Sequence, residues 1–149
     1  MTTASISAIP RRTDVARWRS IRADLSFWTV VGGFVAAFSG PLGNWWNVPR
    51  AELFIGGLAF VVAGVVLLFG LNRIRPTSAG LVLGFGVSNL LLAPTMWVLA
   101  LRGWLPLSAA GNWALAGAGD VALVLGIWQL TALRRSRRTE QRGGSGFRG

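Results

Sequence analysis

The stretch NWALAGAGDVALVLGIWQLTAL, residues 112–133, decides the fold of this chain. At about 1.5 Å per residue, a helix of this length crosses a hydrocarbon core of about 30 Å. Its only ionisable residue is Asp120, near the midpoint. An isolated carboxylate costs about 2.5–3.5 kcal/mol at the centre of a bilayer, so it should face protein or water and be paired or protonated. Asp120 is therefore the first functional candidate.

Three further apolar runs precede this stretch, at 25–42, 51–71 and 78–101. Short polar turns separate the runs, and Pro76 prevents the second run from continuing as a helix. Short connections make neighbouring helices antiparallel. The sequence therefore predicts an all-α integral membrane protein with four antiparallel transmembrane helices in a single bundle. The membrane domain would occupy 25–133, between a basic tail at 1–24 and a basic, disordered tail at 134–149.

The composition supports a membrane protein and excludes several kinds of chemistry. Of the 149 residues, 52% are hydrophobic and 13% are charged, and the mean hydropathy is +0.52. An average soluble domain has about 25% charged residues. The chain has no Cys, His, Lys or Tyr, which removes thiol catalysis, histidine metal ligands and lysine Schiff bases. We therefore expect no metal and no cofactor.

The arginines predict the orientation. Five precede the first run, two lie in the turn at 72–77 and six follow the last run, against Arg50 and Arg102 in the other two loops. Because cytoplasmic loops carry an excess of arginine, both termini should be cytoplasmic in a multi-pass protein of the plasma (inner) membrane. The net charge of +10 lies at these flanks. It therefore favours anionic lipid head groups as partners over nucleic acid.

The first run has a second interpretation, as the core of a signal peptide. Ala37 and Ser39 offer a small-residue cleavage site. The tail before the run is long for a signal peptide, and cleavage would remove the hairpin partner of the second helix. We therefore favour a retained first helix.

An internal repeat links the two outer loops. Gly43-Asn44-Trp45 recurs as Gly111-Asn112-Trp113, and the same offset carries Glu52 onto Asp120. If the repeat is genuine, the bundle consists of two tandem helical hairpins. Glu52 would then be a second acid or base beside Asp120. The indole and amide groups at the outer interface are candidate ligand-binding residues: Asn44, Trp45, Asn112 and Trp113.

Asn89 is the polar side chain predicted to lie nearest Asp120. It falls at mid-span in the third run, and Pro94 follows by little more than one turn, where it should kink the helix. One interpretation is an interhelical hydrogen bond between Asn89 and Asp120, which holds the bundle together. The other is that both line a ligand cavity between the helices.

The sequence leaves the function open between three classes. No Walker, Rossmann, zinc or nucleophile-elbow motif is present. The leading hypothesis is a non-enzymatic membrane protein that binds a lipophilic ligand, a second copy or another membrane protein near Asp120. The second is a membrane-embedded isomerase or cyclase that acts on a lipid-like or isoprenoid substrate, with Asp120 and Glu52 as catalytic residues. The third is a proton-coupled carrier of small molecules.

Overall fold

The computed structural model describes residues 12–73 and 78–145. Within these ranges the chain is all-α, as predicted, without a strand. The helices are α1 (Arg12–Ala37), α2 (Ser39–Trp46), α3 (Arg50–Arg73), α4 (Ala79–Arg102) and α5 (Ala109–Ser145). Three of them, α3, α4 and α5, are long and apolar enough to cross a membrane, and α1 with α2 makes a fourth if that bent pair is one span.

The outer helices extend into the segments predicted as tails. α1 begins within the predicted tail 1–24 because Trp18, Ile21 and Leu25 recur at helical spacing and pack together in the core. α5 continues past Leu133, since arginine is a good helix former and nothing stops the helix there. The rest of the predicted tails, 1–11 and 146–149, and the turn residues 74–77 lie outside the described residues.

The predicted first span, 25–42, is two helices that meet at an angle of 86°. Pro41 explains the break. In a continuous helix its ring would collide with the carbonyl of Ala37, and it has no N–H to bond to that oxygen. α1 therefore ends at Ala37, and α2 starts after Phe38 with Pro41 in its first turn, where a missing N–H costs nothing.

Local signals set the other helix ends. The Ser78 hydroxyl accepts a hydrogen bond from the backbone N–H of Leu81 at 3.1 Å and caps α4. α4 stops at Gly103, which has a φ of 61° that favours glycine. The Ser108 hydroxyl caps α5 by accepting from the N–H of Gly111 at 3.2 Å.

Glycines bring α1 and α3 into close contact. A Cβ added at Gly32 would lie 2.6 Å from the Cβ of Phe60, and one at Gly57 would lie 2.5 Å from the carbonyl oxygen of Gly32. Contacts this short leave no room for a side chain. The two helices therefore pack backbone to backbone, a mode of packing that is common between membrane-spanning helices.

The helices α4 and α5 pack in the same way. A Cβ at Gly126 would lie 3.0 Å from the carbonyl oxygen of Gly86, and one at Gly119 would lie 2.9 Å from the indole of Trp97. The Trp97 indole N–H also donates to the carbonyl of Ala116 at 3.2 Å. α1 joins the two pairs, because it packs mainly on α3 and also on α5, whereas α3 does not pack along α4 or α5 within the described residues.

The two ends of the bundle differ. At the end called here the α2 end, α2 lies against α3 and α5, and the N–H of Ser108 donates to the carbonyl of Trp46 at 3.0 Å. At the other end, called the arginine end, a core cluster joins all four long helices. The cluster consists of Ile21, Leu25, Leu71, Val82 and Leu133. Successive long helices are therefore antiparallel.

Candidate functional site

Asp120 lies near the middle of the apolar part of α5, and its side chain is exposed. Trp113 is 79% exposed and Val124 is 64% exposed on the same side of the helix. A Cβ added at Gly117 would meet no atom of the described chain within 4 Å. We define the α5 outer face as the exposed residues Trp113, Gly117, Asp120, Val124, Ile127 and Thr131.

The opposite side of α5 is the packed side. It carries the buried residues Gly119, Ala122, Gly126, Gln129 and Leu133. At 3.6 residues per turn, Gln129 points away from the side that carries Asp120. The expectation that Asp120 faces the interior of the bundle is therefore wrong for this chain by itself. Small residues, rather than the carboxylate, select the side of α5 that packs.

Asn89 has partners other than the predicted Asp120. Its amide nitrogen Nδ2 donates to Asp24 Oδ2 at 2.8 Å and to Gln129 Oε1 at 3.2 Å. The Gln129 nitrogen Nε2 donates to the same oxygen of Asp24 at 2.7 Å. These three side chains, on α1, α4 and α5, form a closed polar network.

The network lies in a buried part of the bundle. Asp24 is 2% exposed and Gln129 is fully buried. Asp24 Oδ2 accepts from both amides, while Asp24 Oδ1 is buried and has no hydrogen-bond partner among the described residues. Removing a partner from such a network leaves buried donors without acceptors, at about 1–3 kcal/mol each. The network therefore ties the α4–α5 pair to α1.

The sequence contained signals for Asp24 and Gln129. Asp24 falls between Ile21 and Leu25 on a helical apolar pattern that begins at Trp18, so α1 could have been extended through it. Gln129 is an uncharged polar side chain in an apolar run and lies on the same stripe as Gly119 and Gly126. Asp24 is the last residue of the predicted tail 1–24, so the sequence prediction gave it no role in the bundle.

Glu52 lies in the first turn of α3, near the α2 end, and is exposed. It lines a groove of about 210 Å³ between α1 and α3. The structure does not bring it together with Asp120, since α3 and α5 do not pack along each other in the described ranges. The lining residues are Trp28, Val31, Gly32, Val35, Glu52, Leu53, Gly56, Gly57 and Phe60.

The two Gly-Asn-Trp segments meet at the α2 end. The Ser108 hydroxyl donates to the carbonyl of Trp45, and a Cβ at Gly111 would lie 3.0 Å from the carbonyl oxygen of Trp46. The predicted ligand-binding residues Asn44, Trp45 and Trp113 are exposed there. Asn89 lies elsewhere, in the polar network.

Asn112 is the most enclosed of the predicted ligand-binding residues at this end. Its Oδ1 is buried and has no partner in the described part of the chain. The two segments nevertheless occupy different elements, because Gly43-Asn44-Trp45 lies in α2 and Gly111-Asn112-Trp113 begins α5.

The depths of the two predicted acids also argue against the repeat. Glu52 comes in the first turn of α3, whereas Asp120 follows three turns of α5. An equivalent pair of hairpins would place them at similar depths. The two pairs, α1 with α3 and α4 with α5, resemble tandem hairpins, but the sequence offset does not relate them.

Comparison of the chain with protein-family models, with curated proteins and with solved structures finds no match. The site residues are therefore interpreted from their chemistry alone.

Proposed function

We propose that the chain is a non-enzymatic, multi-pass membrane protein that assembles with another membrane protein through the α5 outer face. Its exposed apolar surface supports the membrane location. Large apolar side chains are exposed along every long helix, among them Val30, Phe69, Leu91 and Val124. A soluble monomer rarely exposes contiguous apolar patches larger than a few hundred Å². Lipid is the solvent that accepts such a surface.

The charge distribution supports an orientation for this proposal. Of the arginines whose side chains are described, six lie at the arginine end and two at the α2 end. They are Arg17, Arg19, Arg22, Arg73, Arg134 and Arg135 at the first and Arg50 and Arg102 at the second. Arginine excess marks the cytoplasmic side. The arginine end would then face the cytoplasm of a plasma membrane and bind anionic head groups there.

The exposed carboxyl group of Asp120 is the observation that carries the proposed function. At mid-span this carboxyl group would contact lipid in the isolated chain. The cost of that contact is about 2.5–3.5 kcal/mol on insertion scales. Intramembrane carboxyl groups are normally turned toward protein or water. A partner that covers the α5 outer face and contacts Asp120 removes this cost. The association is therefore specific, because a partner without such a contact would not remove it.

The shape of this face favours a helix as the partner. Its residues recur every three or four positions over the whole apolar part of α5, which is the spacing of a helix–helix seam. Gly117, one turn from Asp120, allows a second backbone to approach closely. A small ligand would need a concave site, and no residue of the α5 outer face lines the groove between α1 and α3.

Charge complementarity favours a different chain over a second copy. The sequence has no basic residue between Arg102 and Arg134, so a second copy in the same orientation would place carboxyl against carboxyl. The partner helix should instead carry an arginine or lysine at mid-bilayer, which pairs with Asp120 away from water. The basic side chain of the partner would also be costly to expose to lipid. Formation of the complex removes both costs, because each charge then faces the other.

The second hypothesis from the sequence is an acid/base enzyme, and it requires that Asp120 and Glu52 lie close enough to contact the same substrate. Those residues lie on helices that do not pack along each other in the described ranges. Nothing in their geometry supports a shared active site. Within the described residues, neither Asp120 nor Glu52 forms a hydrogen bond to the Asp24 network, so a proton relay through that network has no structural support either.

The test uses model helices in phosphatidylcholine vesicles. The chain has no Cys, so one Cys placed at Gly149 can carry a fluorescent donor. Two acceptor-labelled model helices of leucine are compared. One has a single Arg at its midpoint, and the other has Leu at that position. We expect the Arg helix to associate at least about tenfold more tightly than the Leu helix, a difference of about 1.4 kcal/mol. Asp120→Asn should abolish the preference, and Glu52→Gln, the matched control, should retain it.

Two results would overturn this proposal. An equal preference for the Arg helix in the Asp120→Asn variant would show that the charge on Asp120 is not recognised. Self-association of the donor- and acceptor-labelled chain that depends on Asp120, without any added helix, would identify a second copy as the occupant.

A further inference from the structure

The groove between α1 and α3 is amphipathic along its length. Glu52 lies at the end of the groove nearest α2, and Phe60 lies eight residues further along α3, a distance of about 12 Å. Among the lining residues Glu52 is the only ionisable one, and the others are apolar side chains or glycines. A bound molecule would therefore have a polar head near Glu52 and an apolar body below it.

The charge and the aromatic wall of the groove lie at opposite ends. The rings of Trp28 and Phe60 lie 6.0 Å apart at the end away from Glu52 and offer an apolar surface to the body of a ligand. Arg50, two residues before Glu52, is not among the lining residues, because residues at that spacing do not share a side of a helix. Glu52 is thus the one charged residue at the groove within the described chain, and Arg50 does not line it.

We propose that this groove binds a lipophilic monocation, an amphiphilic amine or quaternary ammonium ion, with its head at Glu52 and its apolar body along the wall between Trp28 and Phe60. The inference depends on the membrane location proposed above but not on the α5 outer face. Entry is from the leaflet at the α2 end, where a cationic head would remain at the membrane surface. No covalent step is involved.

Charge and volume separate this ligand from ordinary lipid. An anionic head group would be repelled by Glu52, and an uncharged chain would gain nothing from it. A volume of about 210 Å³ is larger than an engineered cavity of about 150 Å³ that holds benzene. The groove therefore accepts the body of a small amphiphile rather than two acyl chains.

Gly56 provides a variant that fills the groove without disturbing the helix contact. It lines the groove, and a Cβ added there would meet no atom of the described chain within 4 Å. By contrast, a Cβ at the neighbouring Gly57 would lie 2.5 Å from the carbonyl oxygen of Gly32. Gly56→Leu should therefore occupy the ligand space while α1 and α3 remain packed.

The experiment measures binding of radiolabelled decyltrimethylammonium to the full chain in phosphatidylcholine nanodiscs, with empty nanodiscs as the partition blank. Decanol and decyl sulfate are the uncharged and anionic probes of equal chain length. We expect saturable binding of the cation alone. Glu52→Gln and Gly56→Leu should each weaken it at least tenfold, at an unchanged melting temperature, while Asp120→Asn should keep it within twofold.

Several outcomes would overturn the inference. Equal binding of decanol, or full binding by Glu52→Gln, would remove the carboxylate from recognition. Loss of binding in Asp120→Asn but not in Glu52→Gln would place the cation on the α5 outer face. Non-saturable uptake that matches the empty nanodiscs would mean partition into lipid only. Association with the arginine-bearing helix is measured separately, so failure of one proposal is distinguishable from failure of the other.

Discussion

Asp24 and Asp120 are two aspartates of one small bundle in opposite surroundings. Asp24 lies on α1 among buried side chains and accepts hydrogen bonds from two amides. Asp120 lies near the middle of α5 on an exposed face. The first joins helices of this chain, and the second is the residue that, in the proposed complex, contacts another chain. The difference shows that position along a helix does not determine the role of an acid, because rotation about the helix axis decides what it meets.

The largest expected effect is on the buried aspartate. Asp24→Ala leaves the amide donors of Asn89 and Gln129 without their shared acceptor. Each unsatisfied buried donor costs about 1–3 kcal/mol, so the free energy of unfolding should fall by about 2–6 kcal/mol. Reversible unfolding of the purified chain in mixed micelles measures this loss.

Asp120→Ala is the matched control for that measurement, since it removes the same atoms from the exposed position. Its effect should stay within about 0.5 kcal/mol, as for other exposed substitutions. Equal losses in the two variants would contradict the contrast between the two aspartates.

An intermediate effect is expected at Gln129. Gln129→Leu has a similar size but removes one donor to Asp24 and the acceptor used by Asn89. Asn89 still donates to Asp24, so the loss should be smaller, about 1–3 kcal/mol. The same unfolding measurement ranks the variants. A larger loss for Gln129→Leu than for Asp24→Ala would mean that the glutamine, rather than the carboxylate, is the centre of the network.

The smallest effect on the isolated chain is expected from Asp120→Leu. Asn89 keeps both of its partners in this variant, so no buried group becomes unpaired. The melting temperature in detergent should change by no more than a few degrees. A fall of several kcal/mol in the free energy of unfolding would show that Asp120 stabilises the fold of the single chain. That result would contradict the proposal that Asp120 serves contact with a partner.

The helices themselves were largely predictable from the sequence. The predicted runs 51–71 and 78–101 agree with α3 and α4 to within two residues at each end. Their limits depend on local signals, such as the cap at Ser78 and the positive φ of Gly103. The break at Phe38 also has a local cause, Pro41. The sequence prediction nevertheless treated 25–42 as one span, because this run is apolar throughout.

The side-chain partners were not predictable in the same way. Asp120 ranked first because it is central in the most diagnostic run, and Asn89 was paired with it by depth. Which face of α5 packs depends on the close approach at Gly119 and Gly126, a property of two helices together. The small-residue stripe through these positions was the available signal. A helix packed on this stripe places Gln129 in the interior and Asp120 on the exposed side.

The pairing of α1 with α3 and of α4 with α5 has a consequence for biogenesis. Each pair consists of helices close in sequence with glycine contacts of its own, so in the proposed membrane location each half would form soon after its insertion. Until the halves meet, Asp24 on one and Asn89 with Gln129 on the other lack their partners. In the proposed membrane location, an unjoined half would expose these polar groups to lipid, and cellular quality control would then have a feature that distinguishes incomplete from finished molecules.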